Sequence, residues 1–419
     1  VRDLAADDRV MWIQAPLPAL TPNNNGARDA LNVNVLHPSP YNPSPTYSLD
    51  GGGIDVLVFD SGQVDDHDDF GARLIHGDSE AVSSHSTHVA GTVGGDGSRS
   101  VAEGGTDWQW LGMAPDVGLI SYGFSYDYTD IFLYTNPGDV QNDWDEAKNT
   151  HGADLGTASL GTNTTSNGFA CSLHGDYEAM SILLDNIVRG SLGEPYIATW
   201  ANGNERGYND RCGDQYNTTA PPACAKNPIQ VGATNSNDNS MTVFSSWGPC
   251  DDGRIKPVIV APGDEDNGWD ATPYCSTGCI SSTTPSNNYG GKAGTSMATP
   301  AVAGVVALML EQYRDTYNRA DEFLPSTAKA LLMNTATDLG NAGPDYQFGY
   351  GHVDAQAAVD AIIDGLFREG VIPAMGQQDE DVIQVPAGAT TLQVSLAWDD
   401  ASAAAMATPA LVNDLDLTL

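Results

Sequence analysis

Lysine is scarce in this chain of 419 residues: there are five, and Lys and Arg together number 17 against 55 Asp and Glu, a formal net charge of −38 at pH 7. A surface so poor in cations repels nucleic acid and anionic membranes, which removes both as partners. It suits cation-rich surroundings, saline or calcium-containing, or plain solubility. Long hydrophobic runs are also missing. None approaches the roughly 20 residues that cross a bilayer, although 41% hydrophobic content is that of a globular chain. The opening residues, VRDLAADDRV, have neither the basic start nor the apolar stretch of a signal peptide. A mature secreted protein would open in the same way.

No CxxC and no HExxH occurs, and no cysteine lies near a histidine at zinc spacing, so a zinc site is not expected. The six cysteines, Cys171, Cys212, Cys224, Cys250, Cys275 and Cys279, read instead as three disulfides formed in an oxidising compartment. Spacing does not choose among the pairings. Short loops favour Cys212–Cys224 and Cys275–Cys279, which leaves Cys171–Cys250.

The length suits one large domain and part of a second. Residues 1–50 are irregular and rich in Pro and Asn, an extended lead-in. IDVLVFD then ends on Asp60 as a buried parallel strand would, and VGLISYGF, ADLGTASLG, PYIATWANGN and NPIQVGAT look alike. Helical patterns fall between them, including STHVAGTVGG, GDYEAMSILLDNIVRG and TPAVAGVVALMLEQYRDTY. Strands alternating with helices predict a doubly wound α/β sheet, mostly parallel, with helices on both faces. In such sheets sites form at the carboxyl ends of strands, where Asp60 and Asn204 fall. Beyond about residue 366 the pattern changes to period two, in VIQVPAGATTLQVSLAWDD and ALVNDLDLTL, which predicts antiparallel β structure. About fifty residues are too few for a sandwich with its own core, so the chain is expected to stop inside a second domain. There is no internal repeat and no low-complexity tract.

GGKAGTSMATPAVAGVVALML delivers Ser296 to the start of an apolar helix with Pro300 in its first turns, where free N–H donors and a positive potential suit a developing oxyanion. Ser at that place most often only caps the helix. Three further segments change the weighting. VLVFDSG offers Asp60 at a strand end, SSHSTHVAGT offers His85 at the head of a helix, and WANGNERG offers Asn204, whose amide can donate to an oxyanion. Acyl transfer to serine needs these four parts: nucleophile, base, orienting acid and oxyanion donors. His88, three residues beyond His85, lacks the spacing and intervening Glu of a zincin pair and reads as a packed structural histidine.

With these segments in the order Asp, His, Ser, the chain resembles the subtilisin-like serine proteases. GTSMATPAVAG is similar to the family's nucleophile motif, VFDSG to its aspartate motif, HSTHVAGT to its HGTHVAGT and NGNE to its AGNE; ASLG, LGMAP and FSSWGPCDDGRIKPVIVAPG follow in order, over about residues 25–365. RIKPVIVAPG with LQVSLAWDDA and LVNDLDLTL resembles alkaline subtilases that carry a C-terminal β-barrel (jelly-roll) domain, so residues 366–419 would be a partial all-β domain. The N-terminal DDRVMWIQAPLP resembles the end of a subtilase propeptide, which makes residues 1–24 a tail or junction. The resemblance implies a secreted, monomeric serine endopeptidase acting on proteins or peptides, with no organic cofactor. It implies that Ser296 attacks, that His85 is the base, that Asp60 orients it and that Asn204 and the Ser296 N–H bind the oxyanion. Ser159, Leu160 and Gly161 with Trp200, Ala201, Asn202 and Gly203 would wall the pocket, and Glu205 would favour basic or polar residues if it faced in. Two departures stand out: Ala301 for a common His, of mild effect, and Ser86 for the usual Gly, which would narrow the substrate approach or add a hydrogen bond. Calcium would be structural; the acidic clusters offered for it are Asp264, Glu265, Asp266 and Asp270, and Asn413, Asp414 and Asp416. A catalytically silent binding protein and a peptide-rejoining enzyme are the rival readings. The first has no need of all four active residues, and the second lacks an evident insertion to shield the acyl-enzyme.

Overall fold

Strand positions in the sequence are realised as one sheet in a computed structural model that describes residues 23–124, 137–165, 167–208, 212, 215–266, 278–318, 322–385 and 387–418. The expected propeptide-like tail, up to residue 22, lies outside the described residues. In chain order the elements are α1 (Asn23–Ala30), β1 (Asp55–Asp60), β2 (Leu74–His76), α2 (Ser84–Gly94), β3 (Gly118–Gly123), α3 (Pro137–Asn149), β4 (Leu155–Ala158), α4 (Ala179–Val188), β5 (Ile197–Ala201), β6 (Ile229–Asn235), β7 (Ile259–Asp264), β8 (Ile280–Thr284), β9 (Asn288–Lys292), α5 (Thr295–Tyr317), α6 (Pro325–Thr335) and α7 (Ala355–Ile363). β1 to β7 form a parallel sheet in the order β2-β3-β1-β4-β5-β6-β7. β8 and β9 make a separate antiparallel hairpin.

The strands are apolar on both sides because the sheet is covered on both sides. Alternate residues of β1 enter different cores: Val56 and Val58 pack with Val89 and Val93 of α2 and the α5 side chains, while Leu57 and Phe59 pack with Trp144 of α3 and Leu184 of α4. β1 lies where the strand order reverses, with β3 on one flank and β4 on the other. Crevices at the carboxyl ends of such strands are where doubly wound sheets hold ligands, and Asp60 is the last residue of β1.

α5 is apolar all round, as a helix inside a core must be. Between Thr295 and Leu310 every residue but Ser296 is buried, including Ala301. α2 reaches the same depth on small residues. A methyl group on Gly91 would collide with the hydroxyls of Ser282 and Thr283 on β8, so glycine is what lets the helix approach that hairpin.

Cys171–Cys212 and Cys224–Cys250 are the disulfides whose two ends are both described. They replace the expected Cys212–Cys224 and Cys171–Cys250 pairs. Short sequence loops set the closure entropy but not which cysteines the fold brings together, and here the turn before β6 and the loop before β7 bring Cys224 to Cys250. Cys279 is disulfide-bonded; Cys275, expected to pair with it, lies outside the described residues.

After Ile363 none of the described residues belongs to a helix or a strand. Period-two patterning selects an apolar face but supplies no edge to pair with, and Val371, Met375 and Val382 are largely exposed. One stretch of this segment docks on the α/β domain. Lys226 reaches Asp400 at 2.7 Å and the carbonyls of Ala401 and Ala410, and Asn227 exchanges two 2.8 Å hydrogen bonds with the Asp400 backbone.

His37, His88 and His352 are buried, and desolvation lowers them to about 4, 3 and 4 respectively. Each stays neutral in the fold but gains a proton on unfolding below its ordinary value of 6.5. Their contribution is therefore full above pH 6.5 and is lost as pH falls towards 4. The melting temperature should drop over that interval, and it should drop less steeply in His88→Gln, which keeps a donor for the Ile280 carbonyl but cannot titrate. Thermal melts at stepped pH check this.

Candidate active site

β1 ends on Asp60, which is fully buried, and α2 begins beside it with Ser83 as its N-cap. The Ser83 hydroxyl accepts from the backbone N–H groups of His85 and Ser86 and lies 3.0 Å from Ser61 Oγ. A single network of hydroxyls thus fixes the helix start to the strand end. His85 Nδ1 stands 2.7 Å from Asp60 Oδ1, with the imidazole one-third exposed. A carboxylate can only accept there, so Nδ1 carries the proton and Nε2 keeps its lone pair. Oδ1 also accepts from Ser61 N at 2.6 Å, Ser61 Oγ at 3.0 Å and Ser86 Oγ at 3.2 Å. Lys292, at the end of β9, feels the Asp60 charge; burial lowers its amine below the ordinary value and Asp60 opposes that shift.

His88 points the other way, Nε2 donating to the Ile280 carbonyl at 2.9 Å from a fully buried ring. Of the two histidines, His85 alone meets the carboxylate.

Ser296 is the second residue of α5, which follows Gly294, whose φ of 152° is one that side-chain-bearing residues rarely adopt. The Asn204 carboxamide is oriented by what it accepts: Oδ1 takes both the Thr295 N–H and the Thr295 hydroxyl, each at 2.9 Å. The oxygen must face these donors, which turns Nδ2 away from them and leaves it free to donate. Ser296 Oγ donates to the Ser159 carbonyl at 3.1 Å, and Ser159 Oγ returns a 2.9 Å bond to the Ser296 carbonyl. No hydrogen bond joins Ser296 to His85 among the described residues; the Ser296 hydroxyl rests on β4's exit instead. Asp60 and His85 thus form one bonded pair, and Ser159, Asn204, Thr295 and Ser296 a second group; Asp60 and Ser159 each follow a paired residue, Phe59 and Ala158, at the exits of the adjacent strands β1 and β4.

The expected pocket walls are only partly there. Leu160 is nearly buried and Gly161 is half-buried with open space above its Cα. Trp200 is a core residue, fully buried and stacked on Trp144, and Asn202 is fully buried with Nδ2 on the Ser246 carbonyl. Ala201 is buried too, and only Gly203 of the four is half-exposed. Side-chain alternation in β5 sends Trp200 into the second core, so its indole does not form a wall beside Ser296.

Glu205 does not face a pocket. Its buried carboxylate accepts from the N–H groups of Thr164 and Thr165 at 3.1 and 3.0 Å, bracing the loop that leaves β4. Glu205→Ala should lower the unfolding free energy by about 2 kcal/mol through lost hydrogen bonds at a buried group. Denaturant melts check this, and loosening beside Ser159 should slow any reaction at Ser296 as well.

Among the described residues no three His, Cys, Asp or Glu side chains converge as a metal site. Asp264 is a buried strand residue, and desolvation raises it to about 6. Asp266 lies beside Gly278, and Asp270 is outside the described residues. Asn413 Nδ2 donates to Asp400 Oδ1 at 2.8 Å. Among the described residues neither acidic cluster brings three such side chains together. Residues that the sequence motifs left unassigned are Ser61, Ser83 and Thr295, and each sits next to one that was assigned, in DSG, SSH and GTS.

A family model described as the subtilase family matches residues 51–351. Alkaline serine exoprotease A of Vibrio alginolyticus is 26% identical over 80% of this chain and 53% of its own length. Subtilisin E of Bacillus subtilis is 29% identical over 74% of this chain and 66% of its own. The chain thus spans between half and two thirds of these relatives. Among solved structures, the CspB protease of Clostridium perfringens superposes with a TM-score of 0.62 at 17% identity, over 81% of this chain and all of that one.

Proposed function

The chain belongs to the subtilase family, and on that premise we propose that it is a secreted serine endopeptidase that hydrolyses peptide bonds in proteins through Asp60, His85 and Ser296. The observation that carries the reading is the 2.7 Å contact of His85 Nδ1 with Asp60 Oδ1 at the carboxyl end of β1. An Asp that accepts from Nδ1 fixes the tautomer whose Nε2 can take a hydroxyl proton, and it stabilises the imidazolium that follows.

In this reading an extended peptide pairs with backbone at Ser159 to Gly161 as an added strand. Its N–H competes for the Ser159 carbonyl, which frees Ser296 Oγ to turn towards His85. The hydroxyl attacks the scissile carbonyl, His85 takes its proton and later gives it to the leaving amine. The oxyanion is received by Asn204 Nδ2 and the Ser296 N–H at the start of α5. Calcium, if bound, is structural and takes no part in these steps. Secretion fits the disulfides, and no helix among the described residues is long and apolar enough to cross a membrane.

The test is casein hydrolysis with and without a fluorophosphonate, with the labelled residue identified by peptide mapping. Hydrolysis blocked by a label on Ser296 supports the proposal. Absence of both hydrolysis and labelling overturns it.

A further inference from the structure

Ser86 has no task in the scheme above, yet it is fully buried and aimed at the centre of the site. We propose that Ser86 is a positioning residue that acts through Asp60, holding the carboxylate and drawing charge from the oxygen that faces His85, so that His85 works as a base at lower pH. The inference rests on the protease reading.

Three observations carry it. First, Ser86 Oγ donates to Asp60 Oδ1 at 3.2 Å. Second, donors crowd that one oxygen: Ser61 N, Ser61 Oγ, Ser86 Oγ and His85 Nδ1 all reach it, while Oδ2 is buried with no hydrogen-bond partner among the described residues. A carboxylate held on one oxygen from both β1 and α2 cannot turn, so the oxygen facing the imidazole is always the same one. Third, Ser86 declines the local alternative. The next residue, Thr87, bonds back to the Ser83 carbonyl at 2.8 Å as hydroxyls in helices commonly do, whereas Ser86 spends its proton on Asp60.

The chemistry follows from charge sharing. Each neutral donor to a carboxylate disperses its charge and weakens its hold on a neighbouring cation. Without Ser86, Asp60 grips the imidazolium more firmly, and a larger share of His85 is protonated and idle at mildly acid pH. The ionisable groups around the pair are Lys292 from β9, which interacts with both Asp60 and His88, and His88 on α2, held neutral by burial. Both remain in a Ser86 variant, so the change isolates the hydroxyl.

The test uses the full chain, with the rate of fluorophosphonate labelling of Ser296 followed against pH in the unaltered protein, Ser86→Ala and Ser86→Gly. The acidic limb should move up by about half a pH unit in both variants, the scale of one hydrogen bond to a charged group shared over two protonation states. Labelling should then be about threefold slower on that limb and equal at alkaline pH, with reagent affinity unchanged. In a Ser296→Ala background the downfield His85 Nδ1 proton resonance should move further downfield on Ser86→Ala, a readout that needs no activity. Superimposed pH profiles and an unmoved resonance overturn the inference. A variant that gains reagent affinity with no pH shift also overturns it, since Ser86 would then only narrow the approach. If the unaltered protein is never labelled, the protease reading fails by itself, and the resonance alone judges Ser86.

Discussion

Ser296→Ala is expected to lower turnover on casein by about 10⁶, the loss known for the same change in subtilisin itself, and to abolish fluorophosphonate labelling. The substitution removes one oxygen from the one half-exposed residue between Thr295 and Leu310, where the rest of the helix is buried. The helix should not notice. The hydroxyl's partner is the Ser159 carbonyl, and the Ser159 hydroxyl bonds to backbone that alanine retains. Melting temperature should therefore stay close to that of the unaltered protein while activity vanishes. Circular dichroism melts beside casein assays check this pairing. Substantial hydrolysis by the variant would show that the nucleophile lies elsewhere.

Asn204→Ala is expected to cost about 10²–10³ in kcat with KM nearly unchanged, again a magnitude established on subtilisin. The reason is geometric. Thr295 occupies the amide oxygen through two hydrogen bonds, so Nδ2 is held ready before substrate arrives and needs no reorganisation. A donor aimed at the oxyanion strengthens as the tetrahedral intermediate forms and binds the ground state little, which places the loss in kcat. Asn204→Asp keeps the shape but puts an acceptor, and a charge, where the oxyanion develops, and it should be at least as damaging. Steady-state kinetics on a peptide anilide separates kcat from KM. An effect confined to KM would remove Asn204 from the oxyanion site.

Much of this was legible before any coordinates. The buried strand ending on Asp60, the small-residue helix behind His85 and the apolar helix behind Ser296 all follow from local patterns, because burial on both faces of a parallel sheet forces continuous apolar runs. His85 and His88 were separated by their motifs, and the structure puts the first on the carboxylate and the second on a core carbonyl. Other features depended on partners remote in sequence. Glu205 adjoins Asn204 in the chain, yet its carboxylate turns to a loop some forty residues earlier. Trp200 precedes the same asparagine, yet strand alternation sends it to the opposite core.

Ser86 marks the division well. Its departure from the usual glycine was visible as a letter, and its two consequences, a narrowed approach or an added hydrogen bond, could not be ranked. Only the fold, by setting the first turn of α2 against the end of β1, gave the hydroxyl its acceptor. The same holds for the disulfides and for the unpaired C-terminal strand pattern. By itself the sequence determined the family and the alternation of strands and helices within residues 51–351, and it named the candidate reacting groups, since these rest on periodicity and motif. Tertiary structure decided who touches whom, because contact across a sheet depends on strand order, and strand order is not written in any local stretch of the chain.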